Sequence, residues 1–279
     1  MRPEIKDIKD TIVKLKSTSK INLGLWIKEL RPDGYHNLET IFYESKNLYD
    51  EIIIKISDST KPTLTVNFTD NLLNTQIPQE TNLAFKAADL FFKTIDQNKH
   101  CEIQIKKNIP TQAGLGGGSS NAASVLKGLN TLFKDTLTEE KLIELGAQIG
   151  SDVAFFILGG TCFASGRGEK LEPLKNNLDL NIKVIKDENT SISTKWAYEE
   201  IDRRNNIPDY SKNITNIKAA LKKNDFELLQ KNIFNNFEEI IFKKYPVLMS
   251  YKDLLEKEGY TIFGLCGSGS AVFGLKPNS

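Results

Sequence analysis

Four glycines in five positions, Gly114, Gly116, Gly117 and Gly118, leave a run of backbone N–H groups unobstructed by Cβ atoms and able to turn through φ > 0. The run sits between two elements of different period. Residues 102–106 alternate as a strand does. Ala122, Val125, Leu126, Leu129, Leu132 and Phe133 then recur at helical spacing. A helix opening at about Ser119 aims its positive end at whatever the glycines enclose, and the Ser119 and Ser120 hydroxyls add donors. Such a loop either cradles a phosphate or is a tight turn. It is not a Walker A loop, because no Gly-Lys-Ser/Thr closes it. It is a poor dinucleotide fingerprint, since Asp135 falls in a turn before another helix and not at the end of a second strand. The HRD and DFG companions of a protein-kinase loop are missing.

The rest of the chain is ordinary in pattern. Residues 13–27 read as a strand with Val13, Leu15, Ser17, Ser19, Ile21, Leu23 and Leu25 on one face and Lys14, Lys16, Thr18, Lys20 and Asn22 on the other. Arg31-Pro32-Asp33-Gly34 is a turn signature. Further strands are expected at 51–56, 63–68, 180–185 and 260–265, and helices at 82–92, 214–239 and 247–258. The run Thr136-Leu137-Thr138-Glu139 has a capping-box pattern that opens a helix ending near Gly150. Ser151 and Asp152 can cap a short helix through Ile157. Strands and helices without steady alternation predict an α+β fold. With 279 residues the chain is long enough for two domains, divided here as 1–168 and 169–279.

Charge excludes some functions. Thirty-seven basic and 36 acidic residues leave a net charge of +1, too little for bulk attraction to nucleic acid or an anionic membrane, so any anion must be held locally. The first 20 residues are charged throughout and carry no secretory h-region, and no run is long and apolar enough to span a bilayer. Cys101, Cys162 and Cys266 stand far apart, with His36 and His100 as the only histidines, which argues against a zinc site and for buried or semi-buried thiols in a reducing cytoplasm.

Four motifs, in order, carry a resemblance. The stretch from Pro110 through Gly114-Leu-Gly-Gly-Gly-Ser-Ser120-Asn-Ala-Ala resembles the phosphate loop of the GHMP small-molecule kinases, and its wording is most similar to that of the diphosphocytidyl-methylerythritol kinases. Ser19-Lys20-Ile-Asn22-Leu with Arg31-Pro-Asp-Gly-Tyr35-His36 resembles the N-terminal signature of these enzymes. Ile149-Gly-Ser-Asp152-Val, followed by Gly166-Arg-Gly-Glu169, resembles the aspartate motif. Gly267-Ser268-Gly269-Ser270 resembles the C-terminal glycine motif. Together the resemblance runs from about residue 14 to 275.

The resemblance implies a two-domain fold, an N-terminal α+β domain like domain 2 of ribosomal protein S5 and a C-terminal ferredoxin-like α+β domain, with ATP and substrate in the cleft between them. It implies transfer of the ATP γ-phosphoryl group, with Mg²⁺, to the 2-hydroxyl of an erythritol moiety carried on a cytidine diphosphate. Asp152 would take the hydroxyl proton. Lys20 would keep that carboxylate ionised and stabilise developing charge. Pro110, Gly114, Leu115, Gly116, Gly117, Gly118, Ser119 and Ser120 would hold ATP, with Asn82 near the adenine. Asn22 would point into the cleft. Tyr35 would stack on cytosine while the backbone near His36 reads its edge, and Tyr198, with Trp196 as competitor, would supply an opposing aromatic. Gly267, Ser268 and Gly269 would line the substrate site. No metal-ligating carboxylate is identifiable. The expected partners are ATP and the small-molecule substrate, with neither nucleic acid nor membrane, in a cytoplasmic monomer or homodimer.

Overall fold

A computed structural model describes residues 11–70, 77–203 and 210–278. The chain folds into two compact units. Strands β1 (Thr11–Leu30) and β2 (His36–Ser57) are divided between them.

The first unit takes residues 1–19, 48–109 and 116–158. It contains β3 (Leu64–Phe68), α1 (Leu83–Thr94), β4 (His100–Lys106), α2 (Gly117–Leu132), α3 (Glu139–Ile149) and α4 (Val153–Leu158). The far half of β2 pairs antiparallel with β4, from Glu51↔Lys106 to Ser57↔His100, and β3 runs parallel to β4. Alternation sets the register: Ile52, Ile54 and Ile56 are fully buried and face the same layer as Ile103 and Ile105. Each such isoleucine contributes about 2 kcal/mol on full burial. Helix α2 comes so close to this sheet that a Cβ on Gly128 would lie 2.6 Å from Leu15 and 2.7 Å from Ile54. Phe91, Phe92 and Phe133 close the far side with tilted and edge-on contacts.

The second unit takes residues 20–47, 110–115 and 159–279. β5 (Thr161–Ser165) pairs with the near half of β2, from Thr40↔Ala164 to Tyr43↔Thr161, and β6 (Lys170–Pro173) pairs with β5. Next come β7 (Leu180–Lys186), α5 (Thr194–Asp202), α6 (Ser211–Lys223), α7 (Phe226–Gln230) and β8 (Phe234–Asn235). The chain ends with α8 (Glu238–Lys244), α9 (Val247–Lys257), β9 (Ile262–Leu265) and β10 (Ala271–Pro277). Strands β7, β10 and β9 form a separate antiparallel sheet in that order. Leu25, Ile27, Ile192, Ala197, Phe237, Ile241, Leu248, Leu265 and Val272 form its core.

The α+β expectation holds, with local corrections. The helix expected over 214–239 is broken. Asn224 adopts a left-handed conformation (φ 57°) and Asp225 caps a new helix by accepting from Leu228 N, after which Phe234–Asn235 pairs with β1 at Gly24–Leu25. The cap of α3 is Thr138, which accepts from Lys141 N, and not Thr136, whose hydroxyl donates to the Phe133 carbonyl. Lys20 and Asn22 are buried to 5% and 3% exposure, whereas Lys14 and Lys16 on the same strand face are exposed. The three cysteines are buried and unpaired, and burial pushes their thiols up to about 12, 11 and 12 for Cys101, Cys162 and Cys266. Among the described residues, no helix is long and apolar enough to cross a membrane.

Candidate active site

In the first unit the glycine loop is anchored before it begins. The fully buried Asp50 carboxylate accepts from Asn108 N and Ile109 N, both at 2.8 Å, and pairs with Lys107 Nζ. This fixes the chain as it leaves β4. Gly116 takes a left-handed φ of 72° at the N-cap of α2, with no side chain capping the helix. The first intrahelical bond is Ser120 N to Gly116 O at 2.8 Å, so the N–H groups of Gly117, Gly118 and Ser119 belong to an uncapped first turn. That turn, at the positive end of a 16-residue helix, is suited to an anion. The two serines divide their tasks. Ser120 is buried and accepts from Ser17 Oγ at 2.7 Å, while Ser119 is half-buried. Asn82 caps α1 by accepting from Ala84 N at 2.9 Å, and its neighbour Leu83 would lie 3.7 Å from a Cβ on Gly118. The start of α1 therefore adjoins the glycine loop. Asp152, half-buried, ends the turn that leads into α4.

In the second unit Lys20 is held at both ends. Its backbone N–H donates to the Leu115 carbonyl at 3.1 Å, and its ammonium donates to Asn22 Oδ1 at 2.8 Å, over the Phe42 ring. Asn22 Nδ2 donates to Thr40 Oγ1 at 2.7 Å, and Thr40 donates to the Gly24 carbonyl at 2.6 Å. Every link has its donor and acceptor assigned by the next, so the amide cannot flip without breaking the chain. Leu115 itself is buried, and Pro110 opens the segment that carries it.

The two glycine motifs of this unit interlock. Gly114 (φ 75°) backs onto the Cys266 carbonyl, and Gly267 (φ 55°) packs on the Gly114 carbonyl. Gly269 N turns back to Cys266 O at 2.8 Å, and Ser268 shares a hydrogen bond with Thr194 at 2.9 Å. Beneath them Asn235 donates to the carbonyls of Leu265 and Gly267.

The aromatic group falls into two sets. Tyr35 follows the turn closed by Gly34 N to Arg31 O and is 59% exposed. His36 is buried, with Nε2 at 2.7 Å from Asp202, and its ring stacks on Tyr198 at 5.1 Å and 19°. Tyr198 stands edge-on to Phe237. Trp196 is engaged elsewhere, with Nε1 donating to Glu200 and its ring under Lys244 and against Tyr245. Three supports escaped the sequence reading. They are Thr40, which orients Asn22, Asp50, which anchors the loop, and Glu238, whose carboxylate accepts from Leu265 N at 2.9 Å. None belongs to a motif, and each is identified only by pairing across the fold.

Comparison with known proteins matches residues 82–160 to the GHMP kinases N terminal domain and 217–279 to the GHMP kinases C terminal. A 4-diphosphocytidyl-2-C-methyl-D-erythritol kinase of Petrotoga mobilis is 39% identical, with 93% of this chain and 97% of the relative aligned. One from Caldicellulosiruptor bescii is 37% identical, covering 95% and 90%. The chain belongs to the 4-diphosphocytidyl-2-C-methyl-D-erythritol kinase family of GHMP kinases. A crystal structure of 4-(cytidine 5'-diphospho)-2C-methyl-D-erythritol kinase superposes on this family member with a TM-score of 0.76 at 31% identity, covering 94% of this chain and 90% of the other. Both the α+β fold and the membership in a kinase family with ATP as phosphoryl donor are thereby established.

Among the described residues of this GHMP kinase, no group of three or more His, Cys, Asp or Glu is placed to hold a metal ion. A hard cation such as Mg²⁺ prefers oxygen ligands and keeps several from water and phosphate, so the absence of a carboxylate cage is compatible with nucleotide-borne Mg²⁺. Of the two loop hydroxyls, Ser120 already accepts from Ser17.

Proposed function

We propose that this chain transfers the γ-phosphoryl group of ATP to the 2-hydroxyl of 4-diphosphocytidyl-2-C-methyl-D-erythritol, releasing ADP, as a step of the non-mevalonate route to isopentenyl diphosphate. The observation that carries this reading is similarity to enzymes of that name over more than nine-tenths of the chain, at 36–39% identity.

The chemistry requires one bond formed and one broken. The substrate hydroxyl oxygen attacks the γ-phosphorus, the bond to the ADP oxygen breaks, and the hydroxyl proton must leave. Asp152 takes that proton. Lys20, its ammonium directed by Asn22, offsets negative charge on the transferring group. The uncapped turn at Gly117, Gly118 and Ser119 holds the ATP phosphates, with Pro110, Gly114, Leu115, Gly116 and Ser120 shaping the loop and Asn82 toward the adenine. Mg²⁺ would lower the charge on the phosphates, with the Ser119 or Ser120 hydroxyl as the protein group that would assist it. Tyr35 offers an exposed ring to cytosine. Tyr198 acts from behind, through the His36 ring stacked on it. Gly267, Ser268 and Gly269 complete the substrate side. The reaction takes place in the cytoplasm, in a monomer or homodimer.

Incubation with Mg-ATP and a panel of alcohols that includes mevalonate, homoserine and the cytidine substrate, followed by ADP release, tests the reading. Turnover of the cytidine substrate at least a hundredfold above the others supports it. Preference for mevalonate or homoserine refutes it.

A further inference from the structure

The Gly166-Arg167-Gly168-Glu169 link between β5 and β6 has no role in the chemistry above, yet it is built with care. Gly166 O accepts from Leu38 N at 2.7 Å, tying the link to β2. Gly166 takes φ 72°, and Glu169 curls back so that its carboxylate accepts from Arg167 N at 2.6 Å. The acid nearest Arg167 in sequence is therefore engaged with backbone. The Arg167 side chain extends to the Tyr35 ring, with its guanidinium carbon 5.1 Å from the centroid. Its Nε is shielded from solvent and has no hydrogen-bond partner. The guanidinium makes no ion pair among the described residues. Arg31, the neighbouring arginine, differs: it holds Asp33 with Nε and Nη2 and donates to Asn37. Asp33 is held below the ordinary carboxylate range first by its hydrogen bond with Arg31, and only in smaller part by the charge of Arg167.

A shielded guanidinium N–H without an acceptor is an uncommon arrangement, and in this half-buried side chain the terminal N–H groups have no hydrogen-bond partner among the described residues either, which leaves the cation open to a ligand anion. The planar cation matches phosphate better than any neutral acceptor, because both partners are charged and two parallel N–H groups can engage it. We infer that Arg167 is a specificity-determining residue that binds the diphosphate of the cytidine substrate while bracing the Tyr35 ring on which the base stacks. The inference rests on the substrate reading above. It explains how a chain of net charge +1 selects a diphosphate, since the cation is fixed beside the ring offered to the base and is not spread over the surface.

The test compares CDP and cytidine as competitive inhibitors against the substrate, in wild-type protein, Arg167→Gln and Arg167→Lys, with melting temperature and the KM for ATP measured alongside. Arg167→Gln should weaken CDP by about ten- to hundredfold and cytidine by less than about threefold, leaving the KM for ATP unchanged. Arg167→Lys, which keeps the charge without the planar fork, should fall between the two. Equal weakening of CDP and cytidine would reduce Arg167 to a prop for Tyr35 and overturn the inference, as would unchanged CDP inhibition in Arg167→Gln. If only the variants fail, the substrate reading stands. If wild-type protein does not bind CDP, that reading fails, and this inference with it.

Discussion

A Cβ on Gly114 would lie 1.8 Å from the carbonyl oxygen of Cys266. The first glycine of the phosphate-loop motif therefore has a packing task of its own. It is the point at which residues 110–115 lock against the C-terminal glycine motif, with a positive φ that only glycine takes without strain. Gly114→Ala must displace backbone on both sides of the contact. It should cost about 3 kcal/mol or more in chemical denaturation, large for one added methyl group. A loss below about 1 kcal/mol would mean that the two motifs do not interlock in solution.

The remaining glycines are not equivalent as probes. A side chain at Gly117 meets Ile109 at 3.0 Å and the Lys107 ammonium at 3.1 Å, so Gly117→Val confounds ATP binding with repacking. Gly118 has ordinary room, with Leu83 at 3.7 Å. Gly118→Val should leave the melting temperature nearly unchanged while calorimetric titration finds ATP binding weakened about tenfold or more, because the branched side chain stands where phosphate meets the first-turn N–H groups. Wild-type affinity in this variant would make the loop a turn and nothing else.

Tyr35 is exposed and Tyr198 is packed between His36 and Phe237, so their removal should read out differently. Tyr35→Ala should raise the KM for the cytidine substrate about ten- to hundredfold at constant stability, since a stacking partner is worth about 1–3 kcal/mol. Tyr35→Phe should behave as wild type. Tyr198→Ala should lower stability as well as raise KM. An unchanged KM in Tyr35→Ala would remove the base from this ring.

Burial pushes the Glu238 carboxyl up to about 7, against the hydrogen bond from Leu265 N. An ordinary carboxyl ionises near 4.5, so between about pH 4.5 and 7 the folded chain holds a proton that the unfolded chain has lost. Stability attributable to this group is present below that window and falls as pH rises through it. The loss amounts to about 2 kcal/mol, allowing for its partial exposure. Glu238→Gln keeps the acceptor for Leu265 N and should flatten this slope in denaturation curves taken from pH 5 to 8. An unaltered slope would place the titrating group elsewhere.

The sequence and the structure agree where local pattern decides the outcome. Alternation places β4, apolar periodicity places the helix near 82–92, and the glycine run announces the start of α2. They part where long-range pairing decides. Nothing local distinguishes Lys20 from Lys16 on a strand face, yet one is buried beneath the Leu115 carbonyl and the other is exposed. Residues 214–239 are helical in period, and the break comes from Asn224 and Asp225 together with the pairing of Phe234–Asn235 against β1. Ser119 and Ser120 are equivalent as sequence, and a single hydroxyl, that of Ser17, separates them. Arg167 illustrates the same point: its motif was visible, but its unpaired Nε was not.

The most direct measurement identifies the phosphorylated carbon. Reaction of the cytidine substrate with Mg-ATP should give one product with a new phosphate monoester on C2, the carbon that bears the methyl group and no hydrogen. Its phosphorus resonance should therefore show no three-bond coupling to a carbinol proton. Asp152→Asn, folded and binding ATP, should form that product about 10² to 10⁴ times more slowly. A proton-coupled phosphate would place transfer on another hydroxyl, and wild-type turnover in Asp152→Asn would remove the proposed base.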